Sequence, residues 1–200
     1  MPAVDHGIEA RQRRLGRLAS GIARCRRCPL HHGRRRAVPG TGPANARVMF
    51  IGEAPGARED ATGYPFAGRA GTWFDAMLVR AGLDRNEVFV TSAVKCRPPG
   101  NRRPRAGELR ICREAWLLPQ IAAVDPALLV LLGTVAAAQI LGERRALGEL
   151  RGRLLDVPDR RVLVTAHPAA AMRFPEPRRW LEADMELLRQ WLASETAEGR

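Results

Sequence analysis

No apolar run in this chain approaches the roughly 20 residues needed to cross a bilayer, so a membrane-spanning helix is not expected. The N-terminus, MPAVDHGIEARQRRLG, lacks the apolar core of a secretory signal. The expected compartment is therefore the reducing cytoplasm, where disulfides are rare. There is no internal repeat and no long linker, which sets aside solenoids and tethered modules. Lysine is nearly missing: of 33 Lys and Arg residues, only Lys95 is not arginine. Chemistry that runs through a lysine Schiff base has almost nothing to draw on. Lys95 itself adjoins Cys96 and is expected to meet phosphate or backbone.

What is present suits one globular α/β domain spanning residues 1–200. The chain is long enough for a sizeable core, and 46% of it is hydrophobic. The formal charge is +12 and the sequence pI is about 11.3. Arginine forks suit phosphate oxygens, so this balance points to a polyanionic partner. The plainer alternative is a solvated, arginine-rich surface.

Within residues 1–24, Ile8, Leu15, Leu18 and Ile22 keep helical spacing, which predicts an amphipathic helix over 8–23. Loop material rich in Gly, Pro and Arg follows over 25–46. Four apolar runs come next, at 48–51, 88–90, 128–132 and 162–164. None alternates with polar residues, as expected for strands buried on both faces of a parallel sheet. Helices are predicted between them: 71–81 ending at Gly82, 106–121 kinked near Pro119, and 134–141 stopping at Gly142. A last helix carries Trp180, Leu181, Met185, Leu188, Trp191 and Leu192 on one face, with a frayed tail over 194–200.

The order is α, then βαβαβαβ, then α, which implies a four-stranded parallel sheet sandwiched between helices. Ligands of such sheets bind beyond the carboxyl ends of the strands. Each run here ends in unusual residues: GEAPG, TSAVKCRPPGNRRP, LLGTVAA and TAHPAAAMR. A parallel sheet brings all four to one rim.

Three constellations carry the chemistry. Cys25 and Cys28 form C-x-x-C, and Cys96 and Cys112 follow singly. Four thiols in a reducing compartment suit a metal centre, with zinc and an iron–sulfur cluster both open. The loop GEAPGAREDATGYPFAGRAG is neither a Walker A motif nor G-x-G-x-x-G. Its acids, Glu53, Glu59 and Asp60, are wrong for cradling phosphate. They suit activation of water or stabilisation of positive charge. Phe66 in this loop is placed to stack on a flat ring, unless it is simply core. His167 follows a strand and precedes Pro168, where an imidazole can donate to an anionic leaving group or serve structure alone.

GEAPGAREDATGYPFAGRAG, VKCRPPGNRRP, LLGTVAA and AHPAAAMR, with the four cysteines, resemble the family 4 uracil-DNA glycosylases. The likeness runs from about Cys25 to Trp191. It implies a DNA-repair hydrolase that flips uracil out of DNA and cuts its N-glycosidic bond. It also implies a structural [4Fe–4S] cluster on Cys25, Cys28, Cys96 and Cys112. Under the same resemblance, Phe66 stacks on uracil, His167 hydrogen-bonds uracil O2, and Glu59 is a catalytic acid. Gly52, Glu53 and Ala54 belong to the turn lining the pocket, and Asn101 lies close to the site. Met172 and Arg173 form the DNA wedge, and the partner is uracil-containing DNA, single- or double-stranded. A cytoplasmic monomer is expected.

The chain also departs from that pattern. Ser92 stands where the family usually has an asparagine that reads the uracil edge, which implies weaker or broader base selection. Ala170 and Ala171 replace bulkier residues, which implies a small wedge and a preference for single strands. No histidine occurs in CRPPGNRRPRAG, so turnover is expected in place of the covalent capture seen in a related group. With no lysine in the pocket motifs, no lyase step is expected. The alternatives are a glycosylase for another deaminated or mismatched base, or an iron–sulfur DNA-binding protein with weakened catalysis.

Overall fold

Strands that are apolar on both faces are satisfied only between two other layers, and that is where these lie. The computed structural model describes residues 6–142 and 145–198. The strands are β1 Val48–Gly52, β2 Phe89–Ser92, β3 Leu128–Leu132, β4 Leu154–Val157 and β5 Arg160–Thr165. The helices are α1 His6–Ala23, α2 Ala57–Thr62, α3 Arg69–Arg80, α4 Ala106–Cys112 and α5 Leu118–Val124. They continue as α6 Thr134–Leu141, α7 Leu147–Leu150, α8 Pro168–Ala171 and α9 Pro175–Glu198.

The sheet order is β2-β1-β3-β5-β4. All pairings are parallel except β4 with β5, which is antiparallel. The expected four parallel strands are therefore present, and a fifth, antiparallel edge strand corrects the count. β4 reads LLDV, is mostly half-exposed, and turns into β5 through Pro158 and Asp159, the latter at φ 71°. A half-exposed edge lacks the continuous apolar signature of the inner strands. At the opposite edge, Thr41 pairs with Val90 through two backbone hydrogen bonds of 2.8 and 3.0 Å. The loop from the C-x-x-C pair thus lies along β2.

Alternate residues of each inner strand feed separate cores. Val48, Phe50, Val130 and Leu163 face Phe74 and Leu78 of α3 and Leu181, Met185 and Leu188 of α9. Met49, Ile51, Leu131 and Val164 face Ile121 and Val124 of α5 and Ala136 of α6. Buried aliphatic side chains of this kind each stabilise by about 1.5–3 kcal/mol.

The helix expected over 106–121 is two helices joined by a π turn, Arg113–Leu117. Pro119 has no N–H for the carbonyl four residues back and its ring crowds that carbonyl, so the backbone widens just before it. This turns Trp116 onto α1, where a Cβ on Gly21 would lie 2.7 Å from the indole ring. Helix α6 stops at Gly142, which is left-handed at φ 73°, as expected. Helix α9 continues past Ala193 to Glu198, so the frayed tail predicted from 194 is helical that far. Residues 199 and 200 lie outside the described residues. No helix among the described residues is long and apolar enough to cross a membrane.

Candidate functional site

The loop after β1 folds around one carboxylate. Gly56 begins α2 and Gly68 begins α3. Glu59 Oε2 accepts the Gly56 N–H and Oε1 accepts the Gly68 N–H, each at 3.0 Å. A single side chain thus satisfies an orphan donor at two helix starts and joins them. Between these anchors Phe66 is held at φ 53°, a costly conformation for a residue with a Cβ. What holds it is close packing: a Cβ on Gly71 would lie 1.7 Å from the Phe66 carbonyl oxygen. The Phe66 ring stacks on Phe74, with centroids 4.7 Å apart, and its other neighbour is the His167 ring at 5.7 Å and 23°. At the end of β1, a Cβ on Gly52 would stand 3.2 Å from Phe66 Cζ and 3.6 Å from His167 Nε2. Glycine there keeps the space between the two rings open.

His167 follows the last residues of β5 and caps α8. Its Nδ1 accepts the Ala169 N–H at 3.1 Å. In the neutral ring the proton is therefore on Nε2, the nitrogen facing Gly52. Burial pushes the imidazole down to about 4, with the Glu59 charge opposing. Near neutral pH the residue is an uncharged N–H donor.

These groups surround a cavity of about 250 Å³ lined by residues that include Ala54, Glu59, Phe66, Ser92, Asn101 and His167. That is below the roughly 300–1,000 Å³ typical of sites for drug-sized ligands, and suits one planar ring. A depression of about 730 Å³ lies between Arg103, Thr134, Gln139 and Arg145. It is larger but holds none of these convergent groups, so chemistry and not volume selects the site.

Asn101 is left-handed at φ 56°, a conformation asparagine tolerates, and its Oδ1 accepts Arg97 Nε–H at 2.7 Å. The amide NH₂ is then the group left for a ligand. Ser92 is buried at the end of β2, in register with Gly52. Glu53 is not on the cavity wall. Its half-buried carboxyl is pushed up by burial, with the Arg103 charge opposing. Of the two expected wedge residues, Arg173 is exposed and lines the cavity, whereas Met172 is half-buried. Phe174, the next residue, is 58% exposed. Sequence reasoning passed over it, although an aromatic directly after Arg173 was a readable signal.

The four cysteines gather beneath Ala54. Cys96 and Cys112 are buried with Leu30 and Val94, and Cys28 packs against them. Cys25 is close enough to Cys28 and Cys96 for their charges to interact. Two N–H groups point at sulfur: Arg34 Nη1 to Cys96 Sγ at 3.1 Å and Trp116 Nε1 to Cys25 Sγ at 3.3 Å. Burial raises the thiols of Cys28 and Cys96 and pushes Cys112 up to about 11, where Lys95 opposes it. Among the described residues, no three His, Cys, Asp or Glu side chains close around one point as ligands of a single ion would.

Lys95 does not reach phosphate. It is 1% exposed, and its Nζ donates to Thr91 Oγ1 at 2.6 Å and the Ser92 carbonyl at 2.7 Å. The expected backbone contact is present; the phosphate contact is ruled out by burial.

Residues 39–190 match the family described as the uracil DNA glycosylase superfamily. The chain is 39% identical to a type-4 uracil-DNA glycosylase of Pyrobaculum aerophilum, covering 86% of this chain and 92% of that protein. It is 36% identical to a type-4 uracil-DNA glycosylase of Thermotoga maritima, covering 87% of this chain and 92% of that protein. A type-5 uracil-DNA glycosylase of Pyrobaculum aerophilum is 36% identical, over 67% of this chain and 66% of that protein.

Proposed function

Because the chain belongs to the uracil DNA glycosylase superfamily, we propose that it hydrolyses the N-glycosidic bond of deoxyuridine in DNA. Uracil is released and an abasic site is left for base excision repair. The observation that carries this reading is the neutral His167 N–H facing Phe66 across the space that Gly52 leaves open.

A base leaving its sugar takes the bonding electrons, so negative charge grows on the ring and positive charge on the deoxyribose. Phe66 supports the extruded ring by stacking. His167 donates Nε2–H to the ring oxygen where charge develops. A neutral donor already in place loses no energy to reorganisation at that moment. The Glu59 carboxylate is held by two backbone N–H groups, and its charge favours the oxocarbenium-like sugar. Its first role here is to fix the loop at Gly56 and Gly68. The Asn101 NH₂ and the Ser92 end of β2 contact the remaining edge. A monofunctional reaction follows, since the single lysine is buried and bonded elsewhere.

Four soft thiolate donors, two of them with an N–H group aimed at sulfur, suit an iron–sulfur cluster. We assign Cys25, Cys28, Cys96 and Cys112 to a [4Fe–4S] centre. When bound it supplies thiolate bonds that cross-link the loop at 25–46 to β2 and α4. Arg173 and Phe174 sit beside the cavity for DNA contact, and a cytoplasmic monomer acting on one DNA site is the simplest assembly.

A panel of labelled oligonucleotides carrying uracil, hypoxanthine, xanthine, or thymine opposite guanine tests the reading. Uracil release is expected, with His167→Ala lowering the rate about 10²–10³-fold, as for loss of one oxyanion donor. Release of no base by protein holding its cluster would overturn it. Release of another base alone would favour the second reading, a wider substrate range, for which Ser92 is the motive.

A further inference from the structure

The chain's only lysine is the most deeply buried cation among the described residues, and the reaction described above does not use it. Burial of an ammonium costs several kcal/mol unless donors and charge are satisfied, so its surroundings carry information. Its Nζ donates to the Ser92 carbonyl and to Thr91 Oγ1. Thr91 in turn contacts the Pro39 carbonyl and Gln120 Oε1 at 3.2 and 3.3 Å. The Lys95 carbonyl accepts the N–H of Val38, which lines the cavity, at 2.8 Å. On its other side, the Lys95 backbone N–H is hydrogen-bonded to Cys112, and its charge interacts with Cys112 and Cys96. One residue thus touches the cavity wall at Ser92 and Val38 and the cysteine centre at Cys112.

We propose that Lys95 is a positioning residue that sets the Ser92 edge of the base pocket in register with the four-cysteine centre and serves as that centre's internal counter-charge. The proposal rests on the glycosylase reading for the meaning of the pocket and on geometry for the link. Arginine, abundant elsewhere, does not substitute, since its planar fork needs more room than a fully buried ammonium. The consequence is that damage at the cysteines reaches base recognition through the end of β2 before it reaches His167, which follows β5 and caps α8.

The test is Lys95→Met, similar in length but without charge or donors, in the full chain holding its iron. Three quantities are measured beside wild type: the reduction potential of the centre, inhibition by free uracil, and affinity for an oligonucleotide carrying an abasic site. Removing a nearby positive charge lowers the potential, since the reduced centre is the more negative form. Uracil inhibition is expected to weaken at least tenfold while abasic-DNA affinity stays within about twofold. That split separates positioning from general loss of structure. Unchanged potential and unchanged uracil inhibition would overturn the proposal, as would equal losses in both binding assays. If Lys95→Met does not fold, Thr91→Val decides: it keeps the charge and removes one acceptor. Uracil inhibition should then weaken with the potential held, and an unchanged inhibition overturns the proposal. Wild type failing to release or bind uracil would defeat the glycosylase reading instead, leaving the shift in potential to judge the counter-charge.

Discussion

His167 has an imidazole that titrates near 4 in the fold and near 6.5 when unfolded. Between those values the unfolded chain binds a proton that the native chain refuses. The stability contributed by the neutral ring is therefore fully present above about pH 6.5 and is lost as pH falls toward 4. Chemical denaturation of wild type and His167→Asn between pH 7 and pH 4 should show a steeper decline in wild type. In the native protein, the His167 ring signals should stay in the neutral form down to about pH 5. A transition near 6.5 would mean that burial does not hold the ring neutral. Ser92 poses the other question at this scale. Its hydroxyl is shorter than an asparagine amide and lacks the paired donor and acceptor that read a base edge. Ser92→Asn is expected to raise uracil excision or sharpen it against other bases by about tenfold, measured as ratios of kcat/KM. An unchanged substrate profile would show that Ser92 does not set selection.

Among the elements, short α8 and the turn after it carry the residues proposed to meet DNA. Ala171 is fully buried and Met172 half-buried, so of the expected wedge residues Met172 and Arg173 the more exposed is Arg173. Arg173 and Phe174 are exposed. Phe174→Ala should cost duplex substrate several-fold more than single-stranded substrate, compared as excision rates. Equal losses would assign Phe174 to binding alone. How much was legible differs by element. Inner strands β1, β3 and β5 were readable because burial on both faces leaves an unbroken aliphatic run. β4 was not, because its edge place tolerates Asp156 and a half-exposed face. Pro119 announced a break, but the widening falls in the turn before it. The rim of unusual residues was legible from strand order alone. The double grip of Glu59 was not, since Gly56 and Gly68 are twelve residues apart and meet one side chain only after α2 has folded. The burial of Lys95 was equally hidden, since its partners Thr91 and Ser92 look no different from loop neighbours until β2 has formed.

For the whole molecule, the charge of +12 and the single rim both suit the proposed function, with arginines for phosphates and a pocket for a base. The rim exists because β1, β2, β3 and β5 run in parallel. The sheet must still end somewhere, and an open strand edge invites pairing with another chain. On one side β4 presents Asp156 and its neighbours Asp159, Arg160 and Arg161, charges that discourage such pairing. On the other, β2 is covered at Val90 by Thr41, in the segment tethered by Cys25 and Cys28. A cluster held by these cysteines, as proposed, would therefore also be a clasp on an adhesive edge. With the proposed cluster removed by chelator and oxidant, the protein should first expose β2 and then self-associate, visible as rising light scattering while far-ultraviolet circular dichroism is still largely native. For this chain, oxidative damage would be paid first in solubility.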